Sequence, residues 1–283
     1  MIAPGSLHLK CMGKIHLIGS EGFIGRAIQR QAGLSQLHLW SHSADKADHY
    51  FNLLESRSWE ALLSQKPESV IILSWPGLPN YDKSYHVTVN MPATINLTEK
   101  LIEAGTRHVI FAGTCYEYGL QNGMLGEDTP ADPYNLYAIA KDAARRSVAR
   151  ICDQAKVRWC WLRIFYLYGI GQNELSFMPQ LDRMIQNNEN SFPMSSGIQI
   201  RDYVSVETIA DQMITLATDL RARGIYNGAS GKPSSLREIA ERRISESGSQ
   251  IKLKLGAIPD RSDEPLAFWA DMRRLQKLQT SVR

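Results

Sequence analysis

Tyr137 and Lys141 stand four positions apart in the stretch Tyr137-Ala-Ile-Ala-Lys141. On a helix, that spacing puts both side chains on one face. A free phenol titrates near pH ~10. A fixed ammonium beside it stabilises the phenolate, so the tyrosine can exchange a proton near neutrality. Alone, such a pair is ordinary on a solvated helix face; its company gives it weight. Upstream, Phe111-Ala-Gly-Thr114-Cys115-Tyr116-Glu117-Tyr118-Gly119 closes a buried strand. Thr114 at such a strand end would offer a hydroxyl to the reacting oxygen. Thr114, Tyr137 and Lys141 are therefore the candidate catalytic residues.

A second motif lies near the start. Gly19-Ser-Glu-Gly22-Phe23-Ile24-Gly25 follows the apolar run Lys14 to Ile18 and opens a segment of helical periodicity that runs to a glycine stop at Gly33. Glycines allow a tight turn and close approach of the backbone to a pyrophosphate, and the helix N-terminus offers free N–H groups and a positive dipole end. The loop predicts a dinucleotide. The carboxylate that would grip an adenosine ribose should end the second strand. That strand ends in Trp40-Ser41-His42-Ser43 instead. A carboxylate would repel a 2′-phosphate, whereas Ser41, Ser43 and Lys46 suit one, so the reading leans to NADP over NAD; the alternative is that these are plain surface residues.

These motifs need elements to hold them. Strands are expected at Lys14 to Ile18, Leu37 to Trp40, Tyr50 to Leu53, Ser69 to Trp75, His108 to Gly113 and Val157 to Phe165, with late strands near Arg201 to Val204 and near Tyr226. Helices are expected after the glycine loop, over Ser58 to Gln65, from Tyr85 to Ala104 and from Asn135 to Ala155. This alternation predicts an α/β fold, a Rossmann-type doubly wound parallel sheet with right-handed crossovers and a smaller interleaved substrate lobe. Residues 13–168, with 198–228 returning to them, make the dinucleotide-binding unit; 169–197 and 229–283 make the lobe.

Composition narrows the rest. With 43% hydrophobic and 22% charged residues, the chain is an ordinary globular one rather than a disordered one. A net charge of +3 gives no reason to expect nucleic acid or a membrane as partner. Cys11, Cys115, Cys152 and Cys160 form no CxxC pair and no metal-ligand spacing, so no metal is expected. Scattered thiols fit a reducing, cytoplasmic setting. The first residues carry no apolar signal core; they read as a lead-in to the first strand, with Met12 as an alternative start.

Taken with further stretches, these motifs resemble the extended short-chain dehydrogenases/reductases of the NAD-dependent epimerase/dehydratase group, in particular the nucleotide-sugar 4-ketoreductases. The further stretches are Glu127 to Lys141 with its ExxPxxPxxxYxxxK pattern, Leu162 to Gln172, RDYV at Arg201 to Val204, Tyr226 to Ala240, and RSDEP from Arg261. The resemblance implies catalysis by Thr114, Tyr137 and Lys141. It implies cofactor contacts from Gly19, Gly22, Phe23, Ile24, Gly25, Ser41, His42, Asn52 and Leu73, with Tyr137 and Lys141 at the nicotinamide end. It implies a nucleotide-diphosphate sugar as partner, its diphosphate held by Arg201 and Arg261, and Trp75, Cys115, Tyr116 and Tyr166 along the sugar. It also implies a homodimer through the two long helices, where Val87, Met91, Ile95, Ile102, Ala144, Val148 and Ile151 recur at helical spacing. Arg163, within a strand, reads as structural.

Departures from the family pattern sharpen the expectation. The 4,6-dehydratases carry Asp-Glu just after the catalytic threonine; here Cys115 and Tyr116 stand there, so elimination of water lacks its acid and base. Cys115 reads as a buried small residue rather than an epimerising thiol. Tyr166 replaces a frequent asparagine. The apolar Trp75-Pro-Gly-Leu-Pro loop either covers the nicotinamide or sugar or is only a stiff turn. The leading expectation is an NAD(P)H-dependent reductase acting on the 4-keto group of an NDP-4-keto-6-deoxyhexose. The alternatives are a 4-epimerase that retains NAD and a non-catalytic NADP-binding redox sensor, the latter disfavoured by the intact Tyr/Lys pair.

Overall fold

The computed structural model describes residues 14–32, 34–261 and 264–280. Cys11, Met12, the lead-in, the Gly33 stop, and Ser262 and Asp263 of the RSDEP stretch lie outside the described residues. In chain order the strands are β1 (Ile15–Ile18), β2 (Leu37–Ser41), β3 (His49–Tyr50), β4 (Ser69–Ile72), β5 (His108–Thr114), β6 (Gly123–Leu125), β7 (Arg158–Ile164), β8 (Tyr166–Tyr168), β9 (Ser191–Pro193), β10 (Ile200–Ser205), β11 (Gly224–Gly228), β12 (Pro233–Ser235), β13 (Lys252–Lys254) and β14 (Phe268–Ala270). The helices are α1 (Phe23–Ala32), α2 (Glu60–Ser64), α3 (Met91–Glu103), α4 (Leu136–Gln154), α5 (Phe177–Gln186), α6 (Val206–Thr218), α7 (Leu236–Ser247) and α8 (Arg273–Thr280).

Seven strands form one sheet in the order β11-β7-β5-β4-β1-β2-β3, and every pairing in it is parallel. The order reverses between β1 and β4, which is the topological switch point of a doubly wound sheet. Burial on both faces explains why β1 and β4 are apolar throughout their length apart from His16 and Ser69. On one face, Ile15, Leu17, Ile110 and Leu162 pack with Ala27 and Ile28 of α1, Ile209 and Met213 of α6, and Leu275 of α8. On the other, Ile18, Val70, Val109 and Trp161 pack with Leu62 of α2, Leu97 and Leu101 of α3, and Ala140, Ala144 and Val148 of α4. Val87, Met91, Ile95 and Ile102, expected to share in a dimer contact, lie against this second core, half-buried within their own chain.

Several expected boundaries move. The third strand is only His49–Tyr50, although Phe51 and Leu53 are buried. The strand expected to reach Trp75 ends at Ile72. The helix read over Ser58 to Gln65 begins as a 3-10 turn, Ser56–Trp59, before α2. The helix expected from Tyr85 opens with a π-turn, His86–Asn90, ahead of α3. Such turns insert an extra residue and re-aim side chains.

The remaining strands are short. Strand β10 pairs with β8 and β12, β9 with β13, and β6 with β14. Leu181 of α5, Phe192 and Met194 at β9, Ala240 of α7 and Ile251 form a third, separate cluster. Asp202 ties the segments together. Buried within β10, it accepts from Ser230 N (2.9 Å), Ser230 Oγ (2.6 Å), Gly231 N (2.8 Å) and Ala270 N (3.3 Å). No helix among the described residues is long and apolar enough to cross a membrane.

Candidate active site

The glycine loop spans the carboxyl end of β1 and the start of α1. Gly19 has φ +84°, and its N–H donates to the Trp40 carbonyl at 2.9 Å, so the loop is pinned to the end of β2. A Cβ added at Gly25 would collide with the carbonyls of Gly19 and Ser20. The first helical turn, carrying Phe23 and Ile24, can therefore sit tight against the loop with its N-terminal N–H groups facing the strand ends. Gly22 completes the turn, donating to Gly19 O at 3.1 Å. Leu73 lies beside it: a Cβ at Gly19 would stand 3.2 Å from Leu73 Cβ and 3.1 Å from Ser74 N. A backbone cradle of this shape fits a dinucleotide pyrophosphate.

At the end of β2, Ser41, expected at the cofactor, lies inside. Ser41 is only 2% exposed, and its Oγ accepts from Ser43 N at 3.2 Å. Its hydroxyl stabilises the turn rather than presenting itself at the surface, because it belongs to the last, inward-facing position of β2. The exposed polar groups at that edge include His42 and Lys46, with Asp45 and Asp48 beside them. Asn52 is committed locally, donating to Glu55 Oε1 at 2.8 Å and accepting from Leu54 N at 3.0 Å.

Thr114, Tyr137 and Lys141 converge at the carboxyl end of β5. Asn135 caps α4, its side chain accepting from Ala138 N at 2.8 Å, and so sets where the helix begins. Tyr137 and Lys141 follow on the buried face with Ala144 and Val148. The backbone of Tyr137 donates to Tyr81 O at 2.8 Å, which clasps the 76–85 loop over it. Lys141 Nζ donates to the Ala112 carbonyl at 2.9 Å and lies 3.9 Å from the centroid of the Trp75 ring.

The electrostatics differ from the expectation of an acidic tyrosine. Burial, then the negative charge of Glu117 and the neighbouring Tyr81, push Tyr137 up, while a hydrogen bond with Thr114 pulls the other way. Lys141 Nζ stands 5.9 Å from the Tyr137 ring centroid, and its own pKa falls to about 7 through burial, partly countered by Glu117. In this dry setting Tyr137 keeps its proton and the Lys141 ammonium becomes more acidic than a free one. Tyr137 therefore stays a protonated phenol in this setting.

Glu117 was not singled out by the sequence motifs, yet it builds the site. Fully buried, it accepts from Thr114 N (3.0 Å) and Trp161 Nε1 (2.8 Å) through one oxygen and from Arg163 Nε (2.9 Å) through the other. Thr114 and Glu117 form a reciprocal capping box around the turn Cys115–Tyr118. Arg163 also lies 4.4 Å from the Tyr118 ring centroid, the structural role expected of it. Cys115 is buried, and burial raises its thiol pKa well beyond the ordinary range, so it stays an unionised thiol.

On the far side of the cleft an aromatic and ionic group gathers. Tyr116 meets Tyr81 edge-on at 5.4 Å and Tyr166 at 6.3 Å, and Tyr166 stacks on Tyr203 at 5.4 Å. Arg201 and Arg261 share one carboxylate: Arg201 Nη2 donates to Glu264 Oε2 at 2.9 Å and Arg261 Nη1 to Glu264 Oε1 at 2.6 Å. The two differ in access. The Arg201 side chain is 2% exposed and also donates to the carbonyls of Ile200 and Leu266, whereas that of Arg261 is 70% exposed. Of the two arginines expected at a diphosphate, Arg201 is buried beneath Glu264 and Arg261 faces outward.

A Rossmann cradle opposite a Thr/Tyr/Lys group has counterparts. A family model described as the NAD dependent epimerase/dehydratase family matches residues 15–229. The chain belongs to the NAD dependent epimerase/dehydratase family. Among relatives of this family member is the dTDP-6-deoxy-L-talose 4-dehydrogenase (NAD(+)) of Aggregatibacter actinomycetemcomitans, 29% identical over 210 residues, 73% of this chain and 76% of that one. The fold of this chain is similar to that of a UDP-N-acetylglucosamine 4-epimerase from Methanobrevibacter ruminantium M1, solved in complex with UDP-N-acetylmuramic acid. That match has a TM-score of 0.79 and 21% identity, over 94% of this chain and 91% of that one. RMD from Pseudomonas aeruginosa, complexed with NADPH, matches with a TM-score of 0.78 and 21% identity, over 95% and 93%.

Proposed function

We propose that this family member is an NAD(P)H-dependent reductase of the 4-keto group of an NDP-4-keto-6-deoxyhexose. One observation carries the reading: Tyr137 is buried on α4 with Lys141, whose Nζ lies 5.9 Å from its ring centroid, and burial keeps its phenol protonated. A ketone that accepts hydride becomes an alkoxide and needs a proton there. The relative named as a 4-dehydrogenase of a 6-deoxyhexose nucleotide supports the same substrate class. When bound, a nicotinamide cofactor supplies or accepts the hydride. The residues of the chain do the rest. The loop Gly19 to Gly25 holds the pyrophosphate of the cofactor, Lys141 its nicotinamide ribose, and Thr114 orients the sugar oxygen. Tyr137 donates its proton to that oxygen and is reprotonated through Lys141 and solvent. Arg261 meets the diphosphate of the substrate, and that remote binding fixes the sugar for reaction.

The residues 169–197 and 229–283 act in this reading as the substrate lobe. A 4-epimerase is the second reading, favoured by the fold likeness to a UDP-sugar 4-epimerase. Consumption of cofactor separates the two, because an epimerase returns the hydride it takes. Purified protein is supplied with NADPH or NADH and a panel of 4-keto-6-deoxy nucleotide sugars, and absorbance at the reduced nicotinamide band is followed. A stoichiometric loss of reduced cofactor, reduced about 10²–10⁴-fold in rate by Tyr137→Phe, is the expected result. Interconversion of two 4-hydroxy nucleotide sugars without net cofactor consumption overturns it in favour of the epimerase.

A further inference from the structure

Lys141 has an unusual neighbour. Its ammonium lies on the face of the Trp75 indole, 3.9 Å from the ring centroid, with Trp161 at 5.8 Å and Tyr137 at 5.9 Å. Trp75 is itself held. Its Nε1–H donates to His86 Nδ1 at 3.1 Å, and the two rings are nearly parallel, with 17° between their planes. Indole nitrogen only donates, so Nδ1 must be the bare nitrogen of His86. His86 Nε2 stands 2.9 Å from the Asn80 carbonyl, which only accepts, so Nε2 carries the hydrogen. The imidazole is thus the neutral Nε2–H tautomer, fixed from both ends. The π-turn His86–Asn90 brings Asn90 inward as well, where its Nδ2 donates to Pro76 O at 2.8 Å and ties down the loop next to Trp75. Both His86 and Asn90 are fully buried.

We propose that Trp75 is a positioning residue for the reaction: its indole face, oriented by His86, holds the Lys141 ammonium charged and in place beside Tyr137. The inference rests on the reading of Lys141 as the partner of Tyr137. The physical need is plain. Burial drives a lysine toward its neutral form, and a neutral amine cannot return a proton. Glu117, on the turn after β5, is the carboxylate that acts on Lys141, but it is already engaged by Arg163 at 2.9 Å and Arg145 at 3.7 Å. Asp142, next along α4, is engaged by Arg145 and Arg146. Tyr137, Tyr81 and Cys115, further titratable groups around the pair, are pushed up by burial and carry no charge, and His86 meets the Trp75 indole through its bare Nδ1. Beyond the Ala112 carbonyl, which accepts from Nζ at 2.9 Å, the stabilisation of the charge comes from the quadrupole of an aromatic face, strongest for tryptophan and strongest where water is excluded.

The test reads the lysine directly. Protein carrying ¹³C-labelled lysine is titrated without cofactor, and the Lys141 side-chain signal is assigned by its loss in Lys141→Arg. Trp75→Leu removes the π face and is expected to lower the Lys141 midpoint, making the ammonium up to roughly 30-fold more acidic. Trp75→Phe keeps a weaker face and falls between. His86→Gln, whose amide oxygen can accept the indole hydrogen, stays near the parent protein. The alkaline limb of the kcat/KM profile moves to lower pH in the same order. A Lys141 midpoint that is equal or higher in the Phe variant, or in the Leu variant where it folds, overturns the role of Trp75 whatever the activity. Absence of any cofactor oxidation by the parent protein overturns the reductase reading and leaves the titration order to stand by itself.

Discussion

Arg201 is sealed behind Glu264: its guanidinium lies 2.9 Å from the carboxylate, with a side chain only 2% exposed, while the other carboxylate oxygen holds the outward Arg261. Burial works against the charge on Glu264, and hydrogen bonds from the two arginines more than offset it, holding the carboxyl below its usual range. Glu264 thus acts as the hinge pin that orients Arg261. Glu264→Gln should release Arg261 and raise KM for the nucleotide sugar roughly tenfold with kcat changed little, the loss of one charge-assisted bond. Steady-state kinetics check this. An equal fall in kcat with unchanged KM would place Glu264 with the chemistry instead.

Glu117 has the opposite profile, because it braces the reacting end. Its carboxylate accepts from Thr114 N, Trp161 Nε1 and Arg163 Nε inside the core. Glu117→Gln leaves the Arg163 charge buried without its partner, so stability should drop by about 3–5 kcal/mol. Urea unfolding measures the loss. A change under 1 kcal/mol, about the worth of an exposed pair, would mean that Arg163 finds water or another acceptor.

Cofactor preference turns on the edge beyond β2. Ser41 is buried, but His42 and Lys46 are exposed there. A 2′-phosphate would sit among these, so Lys46→Glu should reduce the NADPH-to-NADH ratio of catalytic efficiencies, roughly tenfold by charge reversal near the surface. A ratio that does not move would take Lys46 away from the adenosine ribose.

Two buried histidines set the acid side of stability. Burial, then the charges of His38 and His49, lower His16 to about 4; burial, then Arg158, lowers His108 to about 3. Both stay neutral in the folded chain, His16 accepting the Trp40 indole hydrogen at 3.1 Å. Unfolded, each takes a proton near pH ~6.5. Between these values the unfolded chain binds more protons, so stability is complete above pH ~6.5 and declines as pH falls toward 4, by up to about 1.4 kcal/mol per unit for each group. Urea midpoints at pH 7, 6 and 5 should fall in that order, and less steeply in His16→Gln. A flat series contradicts the assignment.

What the sequence made legible was local. Thr114 ends an apolar run, Tyr137 and Lys141 share a helix face by spacing alone, and Gly19 to Gly25 sits between a strand and a helix. Each of these signals spans only a few residues. The supports do not. Glu117 meets Trp161 and Arg163 more than forty positions away, and Arg201 meets Glu264 across a gap of 63. No periodicity marks such pairs. Burial was also hidden at Ser41, where a polar side chain in a turn reads as surface until the sheet is assembled. The three-residue strands β6, β8, β9, β12, β13 and β14 are too short to show an alternation, so the second side of the cleft could be outlined but not drawn.

The pairing of β14 with β6 sets an order of events during synthesis. Strand β14 runs beside β6, and Ala267 bridges to Ile200 just before it. Strands β1 to β5 and β7 can associate once the chain has emerged as far as Ile164, and domains commonly begin to fold from the N-terminal side as they are made. The glycine loop and the Thr114–Tyr137–Lys141 group are then already in hand. Arg201 gains Glu264 only when the chain beyond β13 has been delivered and β14 has closed on β6. A nascent chain would thus acquire its glycine loop well before its Arg201–Glu264–Arg261 group, and a ribosome stalled after β11 would present the first without the second.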